Sequence, residues 1–68
     1  MENPKLIART MALQDASRLE ELWLQYWANG GDADRFDFDA YVHDLSERDP
    51  FDLDILSCAI EDIWRRLT

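Results

Sequence analysis

Sixty-eight residues with fifteen acids, seven bases, one histidine and one cysteine make one small domain of net charge −8. That charge argues against direct nucleic-acid binding, whose footprint is a basic patch, and equally against docking on an anionic membrane. The lone cysteine, Cys58, permits neither an internal disulfide nor a zinc site built on several thiolates.

No apolar run approaches the roughly 18 residues of a membrane span. The N-terminal stretch MENPKLIART has no apolar h-region, which predicts no secretory signal and a cytoplasmic address. A chain of this length hides only about 60% of the surface its unfolded form exposes. Dense aromatic packing or self-association is therefore expected to supplement the core, and Trp23, Trp27 and Trp64 are available for both.

The charge is unevenly placed. Residues 1–31 hold four acids and three bases, residues 32–54 nine acids and two bases, and residues 55–68 two of each. Any function of the acidity belongs to the middle third.

Residues 4–29 are predicted to form one long helix, with a possible break near Thr10. Asn3 before Pro4 provides a cap and a first helical position. Ala8, Ala12, Ala16, Leu19, Leu22, Trp23, Tyr26 and Trp27 recur at helical spacing. Asn29-Gly30-Gly31 stops the helix, because glycine adopts the left-handed conformation at the position after the cap. A loop follows, GGDADRF. The second predicted helix spans 38–48, with Asp37 as its cap and Phe36 stapled onto Tyr41. Phe38, Tyr41, Val42 and Leu45 would face the core, and Asp39, His43, Asp44 and Glu47 the solvent. Asp49-Pro50 ends it, since the residue before a proline disfavours helical geometry. The third predicted helix covers 51–67. Leu53, Leu56, Ile60, Ile63 and Leu67 follow a 3-4-3-4 spacing. Asp52 and Asp54 in its first turn and Arg65 and Arg66 in its last suit the helix dipole. The whole reads as an all-helical three-helix bundle of residues 1–68, with a homodimer as a further expectation.

Several constellations could carry chemistry. The loop beginning at Asp32 fails as a calcium loop: its fifth position is Phe36, its sixth Asp37 and its twelfth His43, where an EF-hand needs an oxygen ligand, glycine and glutamate. Asp39, His43 and Glu47, at i, i+4 and i+8, could hold a divalent metal on one helix face, although exposed helix faces are commonly built from such residues. Cys58 has acids Asp54, Glu61 and Asp62 nearby, which disfavour a thiolate, so it reads as a small buried or half-buried filler. Catalysis needs a nucleophile, a base and a pocket, and this composition offers little of each. No enzyme activity, no cofactor and no bound metal are expected.

Apolar residues off the stripes say more. Leu13 and Leu24 project away from Leu19, Trp27 lies between them and the main stripe, and Ile55 faces away from the predicted seam. Several such residues on one helix suggest a second buried surface, filled either by a partner or by the bundle itself. The acids Asp32, Asp34, Asp39, Asp44 and Glu47 have three readings: solubility with helix capping, a docking face for a basic protein surface, or mimicry of nucleic-acid phosphates.

The expectation is a small acidic protein–protein interaction module, an adaptor, inhibitor or accessory subunit. Its partner would be another protein with a basic surface, or a second copy, contacted through those acids together with Leu13, Leu24, Trp27 and Trp64. The alternative is a nucleic-acid-mimicking inhibitor, antitoxin or anti-defence protein that blocks a basic DNA- or RNA-binding partner. A metal-binding module is the third class.

Overall fold

Asn3 opens the first helix as expected. Its side-chain oxygen accepts the Lys5 backbone N–H at 3.0 Å, and Pro4 occupies the first helical position. A computed structural model describes the backbone of residues 3–67 and the side chains of residues 3–66. Within them run four helices: α1 Pro4–Gln14, α2 Ser17–Ala28, α3 Arg35–Val42 and α4 Pro50–Leu67. No strand occurs among the described residues.

The single helix expected over 4–29 is two helices, and the break is not near Thr10. Thr10 stays within α1, its hydroxyl donating to the Leu6 carbonyl at 2.9 Å. The chain turns instead at Asp15, whose backbone is extended. Its carboxylate accepts the Ser17 N–H at 3.0 Å and the Ser17 hydroxyl at 2.8 Å. An aspartate side chain that satisfies backbone two residues on offers the chain an alternative to helix. The same two hydrogen bonds hold the Asp15 carboxyl below the usual carboxylate range.

The second helix end was legible. Gly30 has φ +100°, its N–H bonds to the Trp27 carbonyl at 3.1 Å, and the Gly31 N–H bonds to the Tyr26 carbonyl at 3.0 Å. These two bonds make a Schellman motif.

The helix expected over 38–48 is displaced. Asp34, not Asp37, is the cap, accepting the Asp37 N–H at 2.8 Å, and the helix ends at Val42. Asp44 takes the left-handed conformation at φ +61°. The Asp44 N–H reaches the Tyr41 carbonyl at 3.1 Å and the Leu45 N–H the Ala40 carbonyl at 2.8 Å. This second Schellman motif has aspartate where glycine is usual. Lys5, 2.9 Å from one Asp44 oxygen, and Arg9, 3.5 Å from the other, hold it there. Two expectations fall with the shift. Leu45 is 80% exposed rather than in the core, and Phe36 is 85% exposed rather than stapled onto Tyr41. Phe38, Tyr41 and Val42 are buried as expected.

Helix α4 begins where expected, with the Asp49 carboxylate accepting the Phe51 N–H at 2.9 Å. Leu56, Ile60 and Ile63 are buried, whereas Leu53 is half-buried; the Leu67 side chain lies outside the described residues. Ile55, expected to face away, is buried, and Cys58, expected to be at least half-buried, is exposed. The buried stripe runs through Asp52, Ile55, Leu56, Ala59, Ile60 and Ile63, about 50° from the predicted seam at roughly 100° per residue. The reason is the packing. Helices α1, α2 and α4 contact one another pairwise, so α4 is covered on two sides, and α3 packs on α1 and α2.

The core joins Ala8 and Met11 of α1, Leu22 and Tyr26 of α2, the α3 trio and the α4 stripe. Tyr26 and Phe38 pack with their rings tilted by 42° at 5.0 Å between centroids. The Ala33 N–H donates to the Tyr26 hydroxyl at 3.3 Å, and the Trp23 indole donates to the Ala33 carbonyl at 3.0 Å, which sews the 30–34 loop to α2. The radius of gyration is 10.6 Å, close to the ~11 Å expected of a compact domain of this length. No described helix is long and apolar enough to cross a membrane.

Candidate interaction surfaces

The expected partner-binding acids do not stand free as a set: Asp32 and Asp44 are in ion pairs and Asp34 caps a helix. Asp32 is tied to Arg48, which also binds Asp52, so one guanidinium fastens the loop after α2 to the first turn of α4. The hydrogen bond to Asp52, foremost, pushes the Arg48 guanidinium still further toward its charged form. Asp52 is 7% exposed, and a buried carboxylate requires such a partner. Asp44 is held by Lys5 and Arg9, and the Lys5 hydrogen bond keeps its carboxyl below the usual range. Asp34 caps α3. Asp39 lies 3.2 Å from the His43 ring and is otherwise open to solvent, and Glu47 is exposed beyond the end of α3. Since α3 stops at Val42, Asp39, His43 and Glu47 do not share a helix face. Among the described residues no three histidine, cysteine or carboxylate side chains gather as a metal site would need.

The four expected apolar contacts are exposed: Leu13, Leu24, Trp27 and Trp64. They fall on two surfaces. The first is a groove of about 440 Å³ between α2 and the start of α3. Leu19 and Trp23, both half-buried, and buried Phe38 line it, and Phe36 stands beside them. Glu20, Arg35 and Asp39 add charge, with Arg35 3.8 Å from Glu20. Leu24 and Trp27 extend this surface along α2, one helical turn on from Glu20 and Trp23 respectively. The second surface is a groove of about 350 Å³ between α1 and the C-terminal half of α4, lined by Leu6, Ile7, Thr10, Met11, Gln14 and Trp64. Leu13 lies on the same outer face of α1 as Leu6.

Phe36, Trp23 and Leu6 belong to these surfaces and were missed from the sequence as contacts. Leu6 could have been found, because it sits seven residues before Leu13 and off the same stripe. Phe36 could not, because its exposure follows from a helix start three residues earlier than expected.

Comparison with protein-family models, curated proteins and solved structures gives no match to this chain.

Proposed function

We propose that this chain is a non-catalytic protein-interaction module, acting in the cytoplasm, that takes a basic, amphipathic segment of another protein into the α2–α3 groove. The observation that carries this reading is Phe36, 85% exposed beside Trp23 in a groove with Glu20 and Asp39 among its lining. Aromatic side chains at the centre of an apolar patch are the usual anchors of binding energy. Charges around them mainly set orientation and association rate. Asp34 and Asp37 near the start of α3 add to the negative potential there, and neither is in an ion pair with another described residue. Phosphate mimicry would need carboxylates free to take phosphate positions. Asp32, Asp44 and Asp52 are already engaged by Arg48, Lys5 and Arg9, which favours docking over mimicry.

The test is quantitative affinity capture from cell extract with the wild-type chain and with Phe36→Ser. Phe36 is exposed, so the variant should keep the wild-type circular dichroism. At least one protein should be recovered about tenfold less well by Phe36→Ser, the loss that corresponds to ~1.4 kcal/mol. Its capture should also weaken as salt rises. If the two baits recover the same proteins in the same amounts, the groove is not the binding site.

A further inference from the structure

The α1–α4 surface differs from the rest of the molecule in its charge. In a chain of net charge −8, α1 has no acid and two bases, Lys5 and Arg9, while each other helix has at least two acids. Among the described residues, the groove lined by Leu6, Ile7, Thr10, Met11, Gln14 and Trp64 contains no ionisable side chain. Leu6 is 51% exposed, Leu13 88% and Trp64 43%. Lys5 and Arg9 turn toward Asp44, and on α4 Glu61 and Asp62 both pair with Arg65, at 3.7 and 3.5 Å.

We propose that this face pairs with the same face of a second copy, forming a two-fold dimer through α1 and the C-terminal half of α4. Charge selects the occupant. A basic partner gains little from a face whose described lining carries no carboxylate and is drawn to the acidic surfaces elsewhere. A second copy is repelled by those surfaces and meets least repulsion here. The face is also self-complementary. When two α1 helices cross antiparallel about a two-fold axis placed midway between Leu6 and Leu13, Leu13 of each falls against Leu6 of the other, so every contact occurs twice. Each Leu13 then stands as a projecting side chain opposite a groove edged by Trp64.

Size sets the strength. A standard interface takes about 800 Å² per partner, roughly a sixth of this chain's 4521 Å². The outer face of an eleven-residue helix is only about 16 Å long, so the contact lies at the small end of the range, and the dimer proposed is a weak one, with a dissociation constant in the micromolar range.

The test is sedimentation equilibrium of the whole chain from about 1 to 500 µM, a range that brackets micromolar dissociation. At physiological salt the mean mass should rise from 8.0 kDa toward twice that value. Leu13→Gln and Leu6→Gln, which change exposed positions without adding charge, should stay monomeric with unchanged circular dichroism. Phe36→Gln, on the other groove, should associate like the wild type. Salt supplies an independent readout. Raising ionic strength from about 10 to 150 mM shortens the screening length from ~30 to ~8 Å, so two like-charged copies should associate several-fold more tightly. A wild-type chain that stays monomeric to about 500 µM at 150 mM salt overturns the proposal, since micromolar affinity would be saturated there. So does a Leu13→Gln variant that dimerises as tightly as the wild type, or a dimer that weakens as salt rises.

Discussion

Replacing Gly31 by alanine would place a methyl group 2.3 Å from Cε1 and Cζ of Tyr26 and 2.6 Å from Cδ1, where carbon atoms prefer about 3.5–4.0 Å. The ring cannot move aside freely. Tyr26 is fully buried, packs against the Phe38 ring and accepts the Ala33 N–H through its hydroxyl. Overpacking of this kind costs ~1–3 kcal/mol, and loss of the hydroxyl hydrogen bond adds about 1 kcal/mol. The total, about 2–4 kcal/mol, compares with ~3–10 kcal/mol for the whole domain at 0.05–0.15 kcal/mol per residue. The melting temperature should fall by roughly 10–30 °C. Gly30→Ala is a different perturbation. Nothing lies within 4 Å of its added carbon, and the strain comes from φ +100° alone, about 1–2 kcal/mol.

A double-mutant cycle with Tyr26→Leu separates the two causes. Urea unfolding followed by tryptophan fluorescence, with sucrose present to keep the variants folded, gives the free energies. Without the ring, the Gly31→Ala cost should drop by at least about 1 kcal/mol, while the Gly30→Ala cost should persist. A Gly31→Ala cost under ~1 kcal/mol, or one equal in both backgrounds, would refute the packing argument.

Three further outcomes follow from the geometry. Asp34→Ala should cost about 1 kcal/mol in urea unfolding and Asp37→Ala under about 0.5 kcal/mol; the reverse order would restore Asp37 as the cap of α3. Ile55→Asp should unfold the domain as readily as Ile60→Asp by burying an unpaired charge, whereas Cys58→Ser and Glu61→Ala should each cost under about 0.5 kcal/mol. An Ile55→Asp variant that melts like the wild type would restore the predicted phase of α4. Asp44, its folded pKa held low chiefly by Lys5, contributes stability above the unfolded carboxyl value of about 3.9 that is lost as pH falls through the folded pKa. Asp44→Asn, which tolerates the left-handed backbone, should flatten part of the decline in melting temperature below about pH 4, and an unchanged acid limb would refute the pairing.

What was legible in the sequence is what depends on neighbouring backbone. Asn3-Pro4 and Asn29-Gly30-Gly31 each mark a boundary through a local cap or a left-handed residue, and both stand; Asp49-Pro50 marks the start of α4 but not the expected end of the second helix, which stops at Val42. Asp15-Ala16-Ser17 encodes a break with equally local chemistry, but the apolar spacing continues through it and concealed it. Helix α3 was misplaced for a different reason. Asp34 and Asp37 both offer a cap, and the choice between them leaves Phe38, Tyr41 and Val42 in the core, so the hydrophobic pattern cannot distinguish them. Its end depends on Lys5 and Arg9, more than thirty residues upstream, holding Asp44 in place. The phase of α4 likewise depends on a second neighbour, α2, that a one-sided seam leaves out.

The division of the acids also decides how the proposed function can be probed. Reversing Asp32 or Asp44 would break the contacts that hold the 30–34 loop or the end of α3, so lost binding could not be separated from altered folding. Asp39, beside Phe36 and Trp23, is clear of any Lys or Arg ion pair, and its reversal tests steering at the α2–α3 groove directly. The two grooves share no lining residue, so pairing of copies through α1 and α4 would leave both acidic grooves open. Such a dimer would hold a partner with two basic segments more tightly than either groove alone, provided the linker between them spans the sites. Salt acts on the two contacts with opposite sign: screening strengthens the pairing of like-charged copies and weakens the capture of a basic segment. A monomeric Leu13→Gln chain would therefore keep its affinity for a single basic segment and lose only the gain from bivalence.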